Sequence, residues 1–507
     1  MQRRIFLIYL FALSVCLAPI LTAQSNVNIQ KIDSIIAKAV VDFKLTGMSV
    51  GIIKNDSVVF EKGYGEKIYG KDEPVTSKTL FGIASLSKAF TAACIGILID
   101  EGKLNWDDRV IDVLPGFQLY DRYVTREMRI KDLLTHRSGY DTFDGDLLWY
   151  GTNYDRKEVI RRFKFAKPKY SFRSEYGYSN IMFDIAGEVI EQISGKTWNE
   201  FVKERIFKPL EMTASTTSIK DFTTSTDLAL PHLENVPMEL INYDNCGPAA
   251  AINSSADELL TWLNMWLNKG ELNGKRILSE ETVNNILSSQ TVINIGSVNN
   301  PGGRHFVNAG MGWFLADYGG RLVVSHTGGL PGYLSRVTII PEEKLGIVVL
   351  TNDDNMLFNI VSSMIVDMYL GRELKDYFAI EKERLIKEKE RNEKEKHERL
   401  ASKIPGTKTT LDLKEYAGLY SDVSYGNAEV TYADGELILK LIPTERLFTS
   451  KMEHWHYHTF NIKFADPYLP EGFVTFTIDN KGKVSGFTID LPNPDFHFYD
   501  LKFERVK

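Results

Sequence analysis

Between Asn26 and Leu45, apolar residues recur at Ile29, Ile32, Ile35, Ile36 and Val40, a spacing that predicts an amphipathic helix. Two strand-like runs follow, Gly47–Lys54 and Val58–Tyr64, joined by the hairpin signal Asn55-Asp56-Ser57. A long, mostly helical stretch then extends to about Gly312. Within it, Lys88 to Glu101 is apolar nearly all round and closes at Gly102, the pattern of a helix buried on every side. Four β-rich runs come next: Trp313–Asp317, Arg321–His326, Leu334–Ile340 and Leu345–Thr351, separated by turns at Tyr318-Gly319-Gly320 and Pro341-Glu342-Glu343-Lys344. Early and late strands sharing one antiparallel sheet, with a helical subdomain inserted between them, is the economical arrangement, an α+β fold.

The pattern changes twice more. Glu381 to Arg399 holds 7 acidic and 8 basic residues, with Glu383/Lys387 and Glu390/Lys394 spaced i,i+4, and reads as a solvated linker helix ended at Pro405-Gly406. From Leu411 the chain is β-rich: Glu429–Tyr432, Glu436–Leu441, Phe473–Ile478 and Val484–Asp490 alternate with turns, Asp434-Gly435 among them, and predict a small all-β barrel. The expected organisation is a signal peptide over 1–23, a catalytic domain over 24–375, a charged linker helix over 376–405 and a β-rich domain over 406–507.

With 43% hydrophobic and 25% charged residues, the 507-residue chain has a globular composition, and its formal net charge of -7 argues against nucleic acid as a partner. Arg3 and Arg4, an apolar run from Ile5 to about Leu21, and Ala23 before Gln24 and Ser25 form the layout of a secretory signal peptide cut after Ala23. A secreted or periplasmic protein follows, touching membrane only through that segment if it is uncleaved. Cys16 follows Ser14-Val15, which lacks the small residue expected before a lipidated cysteine. Cys94 and Cys246 do not make a disulfide framework, and Cys94 reads as a buried thiol.

Candidate chemistry centres on Ser85-Leu86-Ser87-Lys88. Three residues apart, Ser85 and Lys88 share one face of the first helical turn. A lysine on a buried helix is costly unless used, and desolvation lowers its pKa, which suits it to take the proton of a serine nucleophile. Tyr178-Ser179-Asn180 adds a phenol that can relay a proton and an amide that can bond a substrate carbonyl or the lysine. His326-Thr327-Gly328-Gly329 ends a strand with a hydroxyl and glycines that admit a substrate close to the backbone. His454, His456 and His458 alternate, so in a strand they would share a face, with His497 in another strand. An exposed aromatic-polar strand is the favoured reading over a metal site. His136 reads as structural, and no metal or cofactor is called for.

In order and spacing, Ser85-x-x-Lys88, Tyr178-x-Asn180 and His326-Thr327-Gly328 resemble the active site of serine β-lactamases and DD-peptidases, closest to the class C and penicillin-binding-protein-like group. Leu133–Gly139, Pro209–Thr213 and Ser254–Leu259 look like stretches of that family, and the resemblance runs over roughly residues 28 to 370. The β-rich tail resembles the lipocalin-like domain of some members, which would cap or narrow the cleft or mediate assembly. The resemblance implies an acyl-enzyme on Ser85, proton movement by Lys88 and Tyr178, and substrate orientation by Asn180. It implies a cleft lined by His326, Thr327 and Gly328, and an oxyanion held by the backbone N–H groups of Ser85 and Gly329. His326 stands where the family carries lysine and supplies less fixed positive charge at neutral pH. The expected function is therefore hydrolysis of an amide or ester in a small peptide, D-amino-acid-containing ones included, or a small ester. The alternatives are a non-catalytic sensor of penicillin or cell-wall fragments and a true β-lactamase. Oligomeric state stays open.

Overall fold

The computed structural model describes residues 27–296 and 303–506, so the expected signal segment, its cut after Ala23 and Cys16 lie outside the described residues. Helix α1 (Ile29–Asp42) starts at Asn28, whose side chain accepts the Lys31 N–H, and it buries Ile32, Ile36, Ala39 and Val40. The hairpin of β1 (Gly47–Lys54) and β2 (Ser57–Gly65) turns through Asn55 and Asp56 at φ 49° and 63°, the left-handed pair that suits a two-residue turn between right-twisted strands.

After α2 (Ser87–Asp100), α3 (Ile181–Ser194) and α4 (Ala256–Leu267), the chain returns to the sheet. The returning strands are β3 (Thr291–Ile293), β4 (Val307–Ala309), β5 (Phe314–Tyr318), β6 (Arg321–Leu330), β7 (Tyr333–Ile340) and β8 (Leu345–Thr351). The order is β2-β1-β8-β7-β6-β5-β4-β3, antiparallel in every pair. Both faces are covered. Helix α1 and α5 (Leu357–Tyr369) pack on one, forming a core with Val50, Ile347 and Val349, while α2 and α4 share the other core with Val348 and Leu350. This double cover is why β8 is buried at every position and its sequence is apolar throughout rather than alternating. The inserted segment carries most of the helices, together with three two-stranded ribbons that the apolar pattern does not mark.

Helix α6 (Tyr377–Ala401) is the charged segment. Glu383 and Lys387 pair as expected, but Lys394 turns to Glu398 at 3.7 Å rather than to Glu390. Eight strands then close a barrel: β9 (Gly418–Asp422), β10 (Gly426–Ala433), β11 (Glu436–Leu441), β12 (Thr449–His456), β13 (Thr459–Ile462), β14 (Gly472–Ile478), β15 (Val484–Asp490) and β16 (Lys502–Arg505). Each pairs with its sequence neighbour and β9 closes on β16. Buried rings of Tyr420, Phe476, Phe487 and Phe503 pack edge-to-face or stacked at 4.7–6.0 Å between centroids.

The alternating histidines do not share a face. A bulge between His454 and His456 shifts the register, His458 bonds Tyr416 at 2.7 Å, and His497 caps a short 3-10 turn instead of lying in a strand. Cys94 and Cys246 are buried free thiols.

The barrel docks on the inserted segment next to the glycine-rich end of β6. The Tyr150 hydroxyl donates to Asp466 at 2.8 Å, and its ring meets Phe496 at 4.3 Å. The Tyr154 hydroxyl donates to the Tyr425 carbonyl at 2.8 Å, and His497 Nδ1 pairs with Asp144 at 3.0 Å. One apolar core runs through both parts.

Candidate active site

Ser85 lies in a single 3-10 turn, Ala84–Leu86, that runs directly into α2. Ala84 takes φ +50°, unusual for a residue with a side chain, and the surrounding bonds hold it there. Ser87 Oγ donates to the Ala84 carbonyl at 2.7 Å and accepts the Ile252 N–H at 3.0 Å, while Ser335 Oγ donates to the Ile83 carbonyl at 3.1 Å. Strand β6 presses on the same turn. A Cβ on Gly328 would sit 2.3 Å from the Ile83 carbonyl oxygen and 2.3 Å from Ser335 Oγ, so only glycine fits.

Lys88 projects from the first turn of α2 and is fully buried. Its Nζ donates to Ser85 Oγ at 3.1 Å, Asn180 Oδ1 at 2.6 Å and the Ala249 carbonyl at 3.1 Å. Burial pulls its pKa down to about 8, with the Cys246 thiol and the carboxyls of Asp146 and Asp184 drawing it partly back. Asn180 passes the chain of bonds on: its Nδ2 donates to Asp146 at 2.7 Å, and Asp146 also accepts the Trp149 indole N–H at 2.9 Å. With both ends of its amide engaged, Asn180 holds Lys88 here, the second of the two uses its residue type allows.

Tyr178 sets its hydroxyl on Ser85, and burial holds the phenol protonated well above its ordinary range. Lys88 Nζ stands 4.8 Å over its ring and the His136 imidazole stacks on it at 4.3 Å. His136 accepts the Ser179 N–H at 3.1 Å, and burial lowers its pKa well below 6.5, which fits the structural reading. Of the two groups beside Ser85 Oγ, then, Lys88 and not Tyr178 is the one poised to lose a proton near neutrality.

His326 faces the same space from β6. Burial pulls it down to about 3, and its Nδ1–H donates to the Thr327 carbonyl at 2.6 Å. That bond fixes the tautomer and leaves Nε2 as an acceptor, buried and with no partner among the described residues. The cleft encloses about 380 Å³, and Ser85, Tyr178, Asn180, His326, Thr327 and Gly329 all line it. Gly328 lies behind the wall, against the Ser85 turn. A side chain at Gly329 would touch only Leu334, at 3.4 Å, so the glycine keeps the cleft floor open rather than admitting a neighbour.

Several lining groups escape the sequence reading. Asp146 lines the cleft and burial pushes it up to about 7, while Asp184, fully buried and not part of the lining, is pushed up to about 8 by burial and acts on Lys88. Asp184 stands alone in the apolar run of α3, a signal of the same kind as Lys88 in α2. The barrel contributes Tyr468, Asp495 and Phe496, and Asp354 follows β8 at the same rim. Asp354 and Asp495 repel one another and both are held above the ordinary carboxylate range, first by burial.

The family described as Beta-lactamase matches residues 32–359, and a domain of unknown function (DUF3471) matches residues 402–505. The unguisins hydrolase ungD' of Aspergillus campestris (strain IBT 28561) is 28% identical over 327 residues, 61% of this chain and 58% of that protein, so the chain spans less than two thirds of that relative's length. The octameric penicillin-binding protein homologue from Pyrococcus abyssi shares the fold with a TM-score of 0.60 at 21% identity, over 94% of this chain and 99% of that one. The D-amino acid amidase from Ochrobactrum anthropi SV3 does so with a TM-score of 0.54 at 21% identity, over 66% and 99%.

Proposed function

Because the chain belongs to the beta-lactamase family, we propose that it is an exported serine hydrolase that cleaves the amide or ester bond of an acyl group carrying a hydrogen-bond donor or a positive charge, an N-terminal aminoacyl group above all. The observation that carries the reading is Lys88 Nζ, 3.1 Å from Ser85 Oγ in a site that burial has tuned to about 8. Neutral Lys88 takes the Ser85 proton as Oγ bonds to the substrate carbonyl carbon. The carbonyl oxygen becomes an oxyanion on the N–H groups of Ser85 and Gly329. Collapse re-forms the carbonyl and breaks the bond to the leaving amine or alcohol, which takes its proton from Tyr178, itself resupplied by Lys88. Water then attacks the acyl-serine by the same route in reverse.

Electrostatics select the substrate. His326 offers a lone pair where the family carries a lysine, and the carboxyls of Asp354 and Asp495 stand at the rim. Such a cleft disfavours the free carboxylate of a β-lactam or a peptide C-terminus and suits an ammonium or amide N–H. The neighbour named above is a D-amino acid amidase, so the D series belongs first in the panel.

A fluorophosphonate should label wild type at Ser85 and leave Ser85→Ala unmodified. A panel of D- and L-aminoacyl p-nitroanilides, their N-acetylated forms, p-nitrophenyl esters and nitrocefin should show turnover falling on N-acetylation and least turnover of nitrocefin. Folded protein that is not labelled sinks the nucleophile. Preference for carboxylate-bearing substrates sinks the selectivity.

A further inference from the structure

Arg336 projects from β7 toward α5, on the face of the sheet turned away from α2. It is only 8% exposed. Its guanidinium bonds neutral groups alone: Thr338 Oγ1 at 3.2 Å, Ser325 Oγ at 3.5 Å and Asn359 Oδ1. No carboxylate lies within ion-pair distance of it among the described residues. The acid at the same face, Asp367, is already engaged by the hydroxyls of Tyr318 and Tyr377 and by Arg372 at 3.5 Å.

A buried cation without a counter-charge costs several kcal/mol. Here it borders a cavity of about 220 Å³ whose wall also carries Arg304, Lys375, Tyr318, Tyr377 and Ser363. The charged neighbour that acts on Arg336 is Arg304, which has the same sign. The space exceeds the roughly 30 Å³ that one water occupies. Two guanidinium groups, with the Ser363 hydroxyl, around a void of that size describe the missing partner of Arg336, a compact multivalent anion.

We propose that this cavity is a binding site for a phosphate-type oxyanion, held by the planar guanidinium of Arg336 and by Arg304, on the opposite side of the sheet from Ser85. Guanidinium has five donors, and three bonds to neighbours leave two for a bidentate grip on adjacent phosphate oxygens. The site lies next to the cleft, because Arg336 is the cross-strand partner of Thr327, which lines the cleft. The site stands independently of the proposed hydrolase reaction.

The test is calorimetry and thermal unfolding of the full chain in inorganic phosphate, sodium chloride and acetate at matched ionic strength and pH. Phosphate should bind with one site per chain. At about ten times its dissociation constant it should raise the melting temperature by about 1–3 °C over chloride. Arg336→Met should lose the shift. Arg304→Gln, at a less buried position, guards against a folding failure of the first variant and should weaken binding at least tenfold. Ser85→Ala should bind phosphate as wild type does. No phosphate-specific shift in wild type, or an undiminished one in both arginine variants, overturns the site. An equal shift with acetate overturns the phosphate assignment.

Discussion

Replacing Asp146 with asparagine should make the enzyme work at lower pH. Wild-type kcat/KM should rise with pH and level off above about 8, because Lys88 must be neutral to accept the Ser85 proton and burial has brought it down to about 8. The sign matters. Asp146 pulls Lys88 back up, so removing its charge lets the lysine fall further. Two hydrogen bonds, Lys88 to Asn180 at 2.6 Å and Asn180 to Asp146 at 2.7 Å, span the amide between the two charges. At a separation of about 7 Å and an effective dielectric of about 20, their attraction is about 2 kcal/mol, or between one and two pKa units. Asp146 itself sits at about 7 and is mostly ionised where Lys88 titrates, so most of that attraction is in force there. Wild type should therefore show about a tenth of its plateau rate at pH 7, and Asp146→Asn well over half of its own plateau. The assay is initial rate on a p-nitrophenyl ester between about pH 6 and pH 9, beside the fluorophosphonate labelling rate, which reports Ser85 deprotonation without deacylation. The asparagine turns one accepted hydrogen bond into a clash of donors and should lower stability by about 1–3 kcal/mol, so folding is checked by circular dichroism. A limb that stays in place or moves to higher pH in a folded variant refutes the assignment of Lys88 as the base.

Three further outcomes are expected. Gly328→Ala sets a Cβ 2.3 Å from the Ile83 carbonyl; relieving it moves the Ser85 turn by about 1 Å and should lower kcat about 100-fold, while Gly116→Ala, where nothing lies within 4 Å, should not. Tyr150→Phe leaves Asp466 Oδ2 without its donor, Oδ1 keeping the Tyr468 N–H, and should lower stability by about 1–3 kcal/mol, read by calorimetry. His497 is held above its ordinary pKa of 6.5, for although burial lowers it, Asp144 and its other acidic neighbours raise it more. Its contribution is fully present below that value and lost as pH rises through the higher folded one, so the melting-temperature advantage of wild type over His497→Ala should shrink above neutral pH.

What could be read from the sequence follows from locality. The strands β1, β2, β7 and β8, the helix behind Ser85 and the barrel strands β10, β11, β14 and β15 declare themselves through period or apolar continuity, whereas β9, β13 and β16 are too short to do so. Ser85 and Lys88 are legible together because one helical turn brings them together. Strand β6 is instructive: Thr327-Gly328-Gly329 reads as the end of a strand, yet pairing with Ser335, Leu334 and Arg336 carries it on to Leu330. Glycines that signal a turn in isolation are here spaces for the nucleophile's turn and for the cleft. Asp495 and Phe496, more than 400 residues from Ser85, reach the cleft only through the docking of the barrel, and no local pattern encodes a contact of that range.

That docking sets an order of events. Domains generally fold as units, and the barrel follows the large sheet in the chain. Ser85, Lys88, Tyr178 and Asn180 can thus assemble while Tyr468, Asp495 and Phe496 are still unmade. A chain whose barrel has not yet folded would hold the Ser85 turn while the mouth of its cleft is still incomplete.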